Sequence, residues 1–127
     1  RRFGAHHVEA LKQLGNLPGR FDLVINTLNH ALPWGEVMAS LAPRGRLHQL
    51  GAVLDPIQVS AFDLIMARRS ITGSPTSSPA SLMKMVEFCV RHNIIPEVEH
   101  LPMERINEAV ERLRKGDVRY RFVLDQV

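Results

Sequence analysis

The stretch Phe21-Asp22-Leu23-Val24-Ile25-Asn26-Thr27 decides the fold. It is nearly continuous in apolar and β-branched residues, which is how a parallel strand buried on both faces reads. A helix is predicted next over 34–41, with Pro33 suited to its first turn and Pro43 as its stop. Pro43-Arg44-Gly45-Arg46 then reads as a turn into a second strand, Leu47-His48-Gln49-Leu50-Gly51-Ala52-Val53, which runs into a glycine. A further helix is predicted over 62–67 and a third short strand over Ser70-Ile71-Thr72-Gly73-Ser74. Short apolar runs alternating with helical patterns predict parallel βα units and an α/β fold.

Farther along, Ser78-Pro79 supplies an N-cap and a first-turn proline. The helix it opens carries Leu82, Met85, Val86, Cys89 and Val90 on one stripe, the spacing of a buried face. Residues 96–102 read as an extended segment bounded by prolines. Glu104 to Lys115 is predicted as an amphipathic helix with Ile106, Ala109, Val110 and Leu113 inward, closed by Gly116. Tyr120, Phe122 and Leu124 alternate along a last strand, with Arg119 and Arg121 on its other face. A boundary near residues 93–96 divides the chain into 1–93 and 94–127.

At 127 residues and 45% hydrophobic content the chain can build a core, and 23% charged residues is ordinary for a globular domain. Sixteen Lys and Arg against thirteen Asp and Glu leave a net charge of only +3. The basic residues fall as scattered pairs, Arg1-Arg2 and Arg68-Arg69, so no nucleic-acid partner is expected. No apolar run reaches the ~18 residues of a membrane span, and no signal peptide is visible. One cysteine, Cys89, precludes an internal disulfide and fits a reducing, cytoplasmic setting. The chain opens at Arg1-Arg2-Phe3-Gly4 without Met, which is the expectation for a piece of a longer polypeptide.

Catalytic signatures are missing from the string. There is no G-x-G-x-x-G, Walker loop or H-E-x-x-H, and Ser74 and Ser77 lack the glycine bracketing of a nucleophile elbow. The six histidines, His6, His7, His30, His48, His92 and His100, show no ligand spacing, so no metal site and no catalytic residue is assigned. What remains is positional. Asn26-Thr27-Leu28, Gly51-Ala52-Val53 and Gly73-Ser74-Pro75 all fall at carboxyl ends of predicted parallel strands, where open α/β sheets bind ligands. Glycines there admit a flat ligand to the backbone, or merely turn the chain.

The order of these blocks, with Gly116-Asp117-Val118-Arg119-Tyr120-Arg121-Phe122-Val123-Leu124-Asp125 as the most specific stretch, resembles the latter part of medium-chain, zinc-type alcohol dehydrogenases. Within that superfamily the likeness is to NADP-dependent, cinnamyl-alcohol-dehydrogenase-like enzymes. It rests also on Ile106-Asn107-Glu108-Ala109 and on Arg69-Ser70-Ile71-Thr72-Gly73-Ser74. The resemblance implies the latter part of a Rossmann-type doubly wound sheet over 1–93, with 94–127 returning to a catalytic domain. It implies hydride transfer between a primary alcohol and NADP, NAD not being excluded, with zinc held in the intact enzyme by upstream residues. It also implies that the backbone at Gly51, Ala52 and Val53 and at Gly73, Ser74 and Pro75 holds the nicotinamide carboxamide. Asn26 and Thr27 would line the ribose, and Arg121 would reach the pyrophosphate, as a guanidinium fork suits phosphate oxygens. Leu28, Val53 and Pro75 are the local candidates for touching substrate, a small alcohol or aldehyde. Ser77 stands where many relatives have glycine. Two other readings remain: a non-catalytic remnant acting as a dimerisation module, and a zinc-free quinone or enoyl reductase.

In the strand order 3-2-1-4-5-6 the first and second strands would be missing. The strand at Phe21 would then be left as a long apolar edge, prone to pairing or aggregation. The strand Ser70–Ser74 would form the outer edge, and by resemblance the homodimer seam.

Overall fold

The computed structural model describes residues 3–126; the Arg1-Arg2 pair and Val127 lie outside the described residues. Contacts gather in two compact units that divide between Ser77 and Ser78.

The first unit is built on β1 (Phe21–Asn26), α1 (Trp34–Ser40), β2 (Leu41–Gln49), α2 (Ala61–Ile65) and β3 (Ser70–Gly73), preceded by a 3-10 turn, Leu11–Asn16. The strands form one parallel sheet in the order β1-β2-β3. Val24, Leu47 and Ile71 share one row across it. Because successive side chains alternate, this row faces one side. There it meets Trp34, Val37, Met38 and Leu41, with Leu14, Leu32 and Leu64 packed around them.

Two expectations change here. First, β2 begins at Leu41, not Leu47, and ends at Gln49. The turn at 43–46 exists, but inside the strand. Phe21 faces Leu41 and Leu23 faces Arg46, so two steps along β1 match five along β2. Arg44 takes a left-handed φ of 65°, and a Cβ on Gly45 would stand 2.8 Å from Ala42 O. The excursion therefore needs its glycine. Helix α1 stops at Ser40, whose Oγ donates to Val37 O at 2.7 Å. Pro43 contributes by disfavouring helical backbone at Ala42.

Second, β1 is not buried on both faces: Leu23 and Ile25 each remain 53% exposed. A parallel strand is covered twice only when a layer lies on each face. The first unit sets α1, α2 and the 3-10 turn on the Val24 side alone.

The second unit holds α3 (Pro79–Arg91), β4 (Glu99–Pro102), a 3-10 turn at Met103–Arg105, α4 (Ile106–Arg114) and β5 (Phe122–Asp125). Ser78 caps α3 as its sequence predicts, its Oγ accepting from Ser81 N at 3.3 Å. The stripe expected to be buried is not: Leu82, Met85, Val86 and Val90 are exposed, and Cys89 is half-buried. Spacing shows that an apolar face exists, not that something covers it. The same correction holds for α4, where Ala109 is buried but Ile106, Val110 and Leu113 are exposed. Gly116, at φ 69°, closes α4 by donating to Leu113 O at 3.0 Å. β4 and β5 pair in parallel, with Leu101 opposite Leu124, and Tyr120 falls ahead of β5.

Arg112 ties this unit together. Its Nη2 donates to Glu99 at 2.6 Å, its Nε to Asp117 at 3.2 Å, and its guanidinium lies 4.8 Å from the centre of the Phe122 ring. Glu99 also accepts from Arg119 N at 2.6 Å. The hydrogen bond from Arg112, and then that from Arg119 N, hold the Glu99 carboxyl below the usual range.

Candidate functional site at the strand ends

Register brings the three predicted segments of the first unit together. Asn26 faces Gln49, and Gln49 faces Gly73, so β1, β2 and β3 end in one row. The turns that follow are stitched across that row. Asn26 O accepts from both Leu50 N, at 2.9 Å, and Gly51 N, at 3.0 Å. Ser74 N donates to Gln49 O at 3.3 Å. These bonds divert the chain after Gln49, so Gly51-Ala52-Val53 is a turn and not the end of a strand. Val53 N closes the turn onto Gly51 O at 3.0 Å.

Two amides, Asn26 buried and Gln49 half-buried, organise the floor. Asn26 is 5% exposed; its Nδ2 donates to Gln49 Oε1 at 3.0 Å and its Oδ1 accepts from Leu28 N at 3.1 Å. Gln49 Nε2 in turn donates to Gly51 O at 2.7 Å. Both ends of the Asn26 side chain are thus engaged within the protein, and its effect on the site is to fix Thr27 and Leu28. Gln49 does the same for Gly51. The sequence reading missed Gln49, because its partners lie on other strands and no local pattern marks them.

Gly51 is required by close packing. A Cβ there would stand 1.9 Å from Leu28 O. Gly73 has more room, its nearest neighbour being Gln49 O at 3.3 Å from a built Cβ. Around the floor, Thr27, Leu28, Ala52, Gly73, Ser74 and Pro75 are exposed, while Val53 is half-buried against the core. The result is a rim of exposed backbone at the carboxyl ends of parallel strands, open to a flat ligand. Arg121 is exposed in the second unit, immediately before β5, and its carbonyl accepts from Glu99 N at 2.9 Å.

His48 was also missed as a site residue. Its Nδ1 lies 2.9 Å from Thr72 Oγ1 and its Nε2 3.0 Å from Ser74 Oγ. A separate cavity of about 460 Å³, lined in part by His7, Leu11, Leu14, Arg20 and Phe21, shares no residue with the strand ends. Among the described residues no three His, Cys, Asp or Glu side chains stand close enough to hold a metal ion. None of the described helices is long and apolar enough to cross a membrane.

A parallel three-stranded sheet with an organised rim at its carboxyl end defines a Rossmann-like cofactor-binding unit. Residues 2–91 match the family described as zinc-binding dehydrogenase, and the chain belongs to that family. It is 40% identical over 124 residues to an aldehyde reductase, AdhA, of Synechocystis, covering 95% of this chain and 37% of the relative. Over 109 residues it is 41% identical to NADP-dependent alcohol dehydrogenase C 1 of Mycolicibacterium smegmatis, covering 86% and 31%. A cinnamyl alcohol dehydrogenase from Sorghum bicolor superposes with a TM-score of 0.89 at 30% identity, over 98% of this chain and 36% of that one. The chain therefore spans about a third of the length of the curated relatives it matches. These relatives are oxidoreductases of the medium-chain alcohol dehydrogenase type, and the match covers their C-terminal part.

Proposed function

We propose that this chain is the C-terminal, cofactor-binding part of an alcohol dehydrogenase or aldehyde reductase that passes hydride between a primary alcohol and NADP. The observation that carries the reading is the row Asn26, Gln49, Gly73, which sets three turns side by side at the carboxyl end of a parallel sheet. Exposed backbone at Ala52, Gly73 and Ser74, with Gly73 lacking a side chain, fits a planar carboxamide; a bulkier residue at 73 would crowd Gln49 O. Asn26 and Thr27 are assigned to the ribose and Leu28 to the substrate, the Asn26 Asx turn fixing the three together. When bound, the nicotinamide supplies the hydride acceptor, and this chain's residues bind and orient it.

In the intact enzyme residues 1–93 belong to the cofactor domain, and 94–127 return to a catalytic domain that holds the zinc. The choice of NADP over NAD draws on relatives such as the one named an NADP-dependent alcohol dehydrogenase. A cytoplasmic setting goes with a single unpaired cysteine. β3, an outer strand of its sheet, is the proposed homodimer seam over Ser70–Ser74. Arg121 is assigned to the cofactor pyrophosphate.

The test is NADPH fluorescence binding by the full-length protein and its Arg121→Ala variant. Loss of a charge-assisted contact weakens binding by about 1.5–3 kcal/mol; unchanged affinity discards the Arg121 role. Absence of any NADPH or NADH binding by the unmodified full-length protein discards the function.

A further inference from the structure

On the sheet face opposite the packed core, one imidazole joins two hydroxyls. His48 stands directly across from Thr72 in the ladder, and Ser74, two residues farther, returns to the same side of the extended chain. The imidazole thus reaches Thr72 Oγ1 through Nδ1 at 2.9 Å and Ser74 Oγ through Nε2 at 3.0 Å. The other side chains of this face are Leu23 and Ile25 of β1, Arg46 of β2 and Ser70 of β3.

The direction of the hydrogen bonds follows from Thr72. Besides the ring, the one acceptor that the Thr72 hydroxyl reaches is Leu47 O, a long contact at 3.5 Å, and the arrangement proposed below turns the proton there. Thr72 Oγ1 is then an acceptor toward the ring, so Nδ1 carries the hydrogen. A neutral imidazole protonated on Nδ1 has a bare Nε2. Ser74 must donate to that nitrogen, and its proton is turned inward. What the Ser74 oxygen keeps for a ligand is lone pairs. Ser74 is exposed at the rim, beside Gly73.

Resting on the dehydrogenase reading above, we propose that His48 is a positioning residue that turns the Ser74 hydroxyl into an obligate acceptor for an N–H of the nicotinamide carboxamide. The chain then reads the amide end of the cofactor with a side chain, in addition to backbone groups. A dinucleotide whose carboxamide is replaced by an acetyl group, which has no N–H, loses that contact.

The experiment has two arms on the full-length protein. Nitrogen-15 NMR of labelled histidine, without cofactor, should show His48 protonated on Nδ1 and bare on Nε2. A ring protonated on Nε2 alone, or averaging between tautomers, overturns the relay. Calorimetric titration with NADP and with its 3-acetylpyridine analogue should show the carboxamide preferred about fivefold, the worth of one neutral hydrogen bond. Ser74→Ala and His48→Phe should each bring that ratio close to one. Ser74→Ala serves where His48→Phe fails to fold, since it leaves the ladder intact. A preference unchanged in Ser74→Ala refutes the proposal. Should the unmodified protein bind neither dinucleotide, the dehydrogenase reading fails and the carboxamide contact with it, while the tautomer result still reports on the relay.

Discussion

Replacing Gly51 by alanine tests the architecture of the site most directly. The added Cβ would stand 1.9 Å from Leu28 O and 2.6 Å from Leu28 C, both backbone atoms with no flexible end to move aside. Ordinary contact between such atoms needs ~3.5 Å, so the two turns must part by roughly 1.5 Å. That displacement breaks the bonds from Leu50 N and Gly51 N to Asn26 O and from Gln49 Nε2 to Gly51 O. At about 1 kcal/mol for each bond the loss is about 3 kcal/mol. Gly73→Ala is the internal comparison. Its Cβ meets Gln49 O at 3.3 Å, a contact relieved by a few tenths of an ångström, and the loss stays below ~1 kcal/mol. Native-state hydrogen exchange of the β2 amides around Leu47 reads both. Gly51→Ala should speed exchange roughly 150-fold, since each 1.4 kcal/mol is tenfold, and Gly73→Ala less than about fivefold. If Gly51→Ala exchanges within fivefold of the unmodified protein, the turns are not locked against each other and the reasoning fails.

Glu99→Gln should lower the thermal midpoint of the second unit at neutral pH. Because the carboxyl is held below its usual range by Arg112 and then Arg119 N, its contribution is present above the unfolded value near 4.5 and fades as pH falls through the folded value. The gap between the two proteins in circular-dichroism melts should therefore close in acid, and a gap of equal size at pH 7 and pH 3 contradicts the ionised pair. Met38→Ala, at a side chain with 0% exposure in the first unit's core, should destabilise by about 2–5 kcal/mol in urea unfolding; less than 1 kcal/mol would mean the site collapses freely. Introducing Pro at Ile71 should dissociate the homodimer proposed above in sedimentation velocity, with circular dichroism confirming that the sheet persists. An unchanged dimer removes β3 as the seam.

Much of the fold was legible where one residue type forces local geometry. Ser78-Pro79 announces α3, Pro33 announces α1, and Gly116 closes α4, because caps and φ restrictions act over a few residues. β1 and β3 were placed within a residue of their observed ends. The excursion in β2 was not foreseen, since a turn signal at Pro43-Arg44-Gly45 carries no information about pairing on either side of it. The candidate site was legible only as three segments following parallel strands, with Gly51-Ala52-Val53 placed one turn beyond the true end of β2. Its internal wiring was not: Asn26 meets Gln49 across 23 residues, and His48 meets Ser74 across 26. Periodicity located the faces of α3 and α4 but could not say whether Val86 or Leu113 is covered.

One oxygen atom ties two segments that are far apart along the chain. Since Asn26 O receives both Leu50 N and Gly51 N, and Gln49 bridges from β1 to the Gly51 turn, no loop of this rim can swing by itself. Pulling on Ser74 tugs on Gln49, and through it on Asn26. A molecule seated at any point along the edge should therefore quiet the whole edge at once, the damping spreading through fixed backbone and not through a hinged flap.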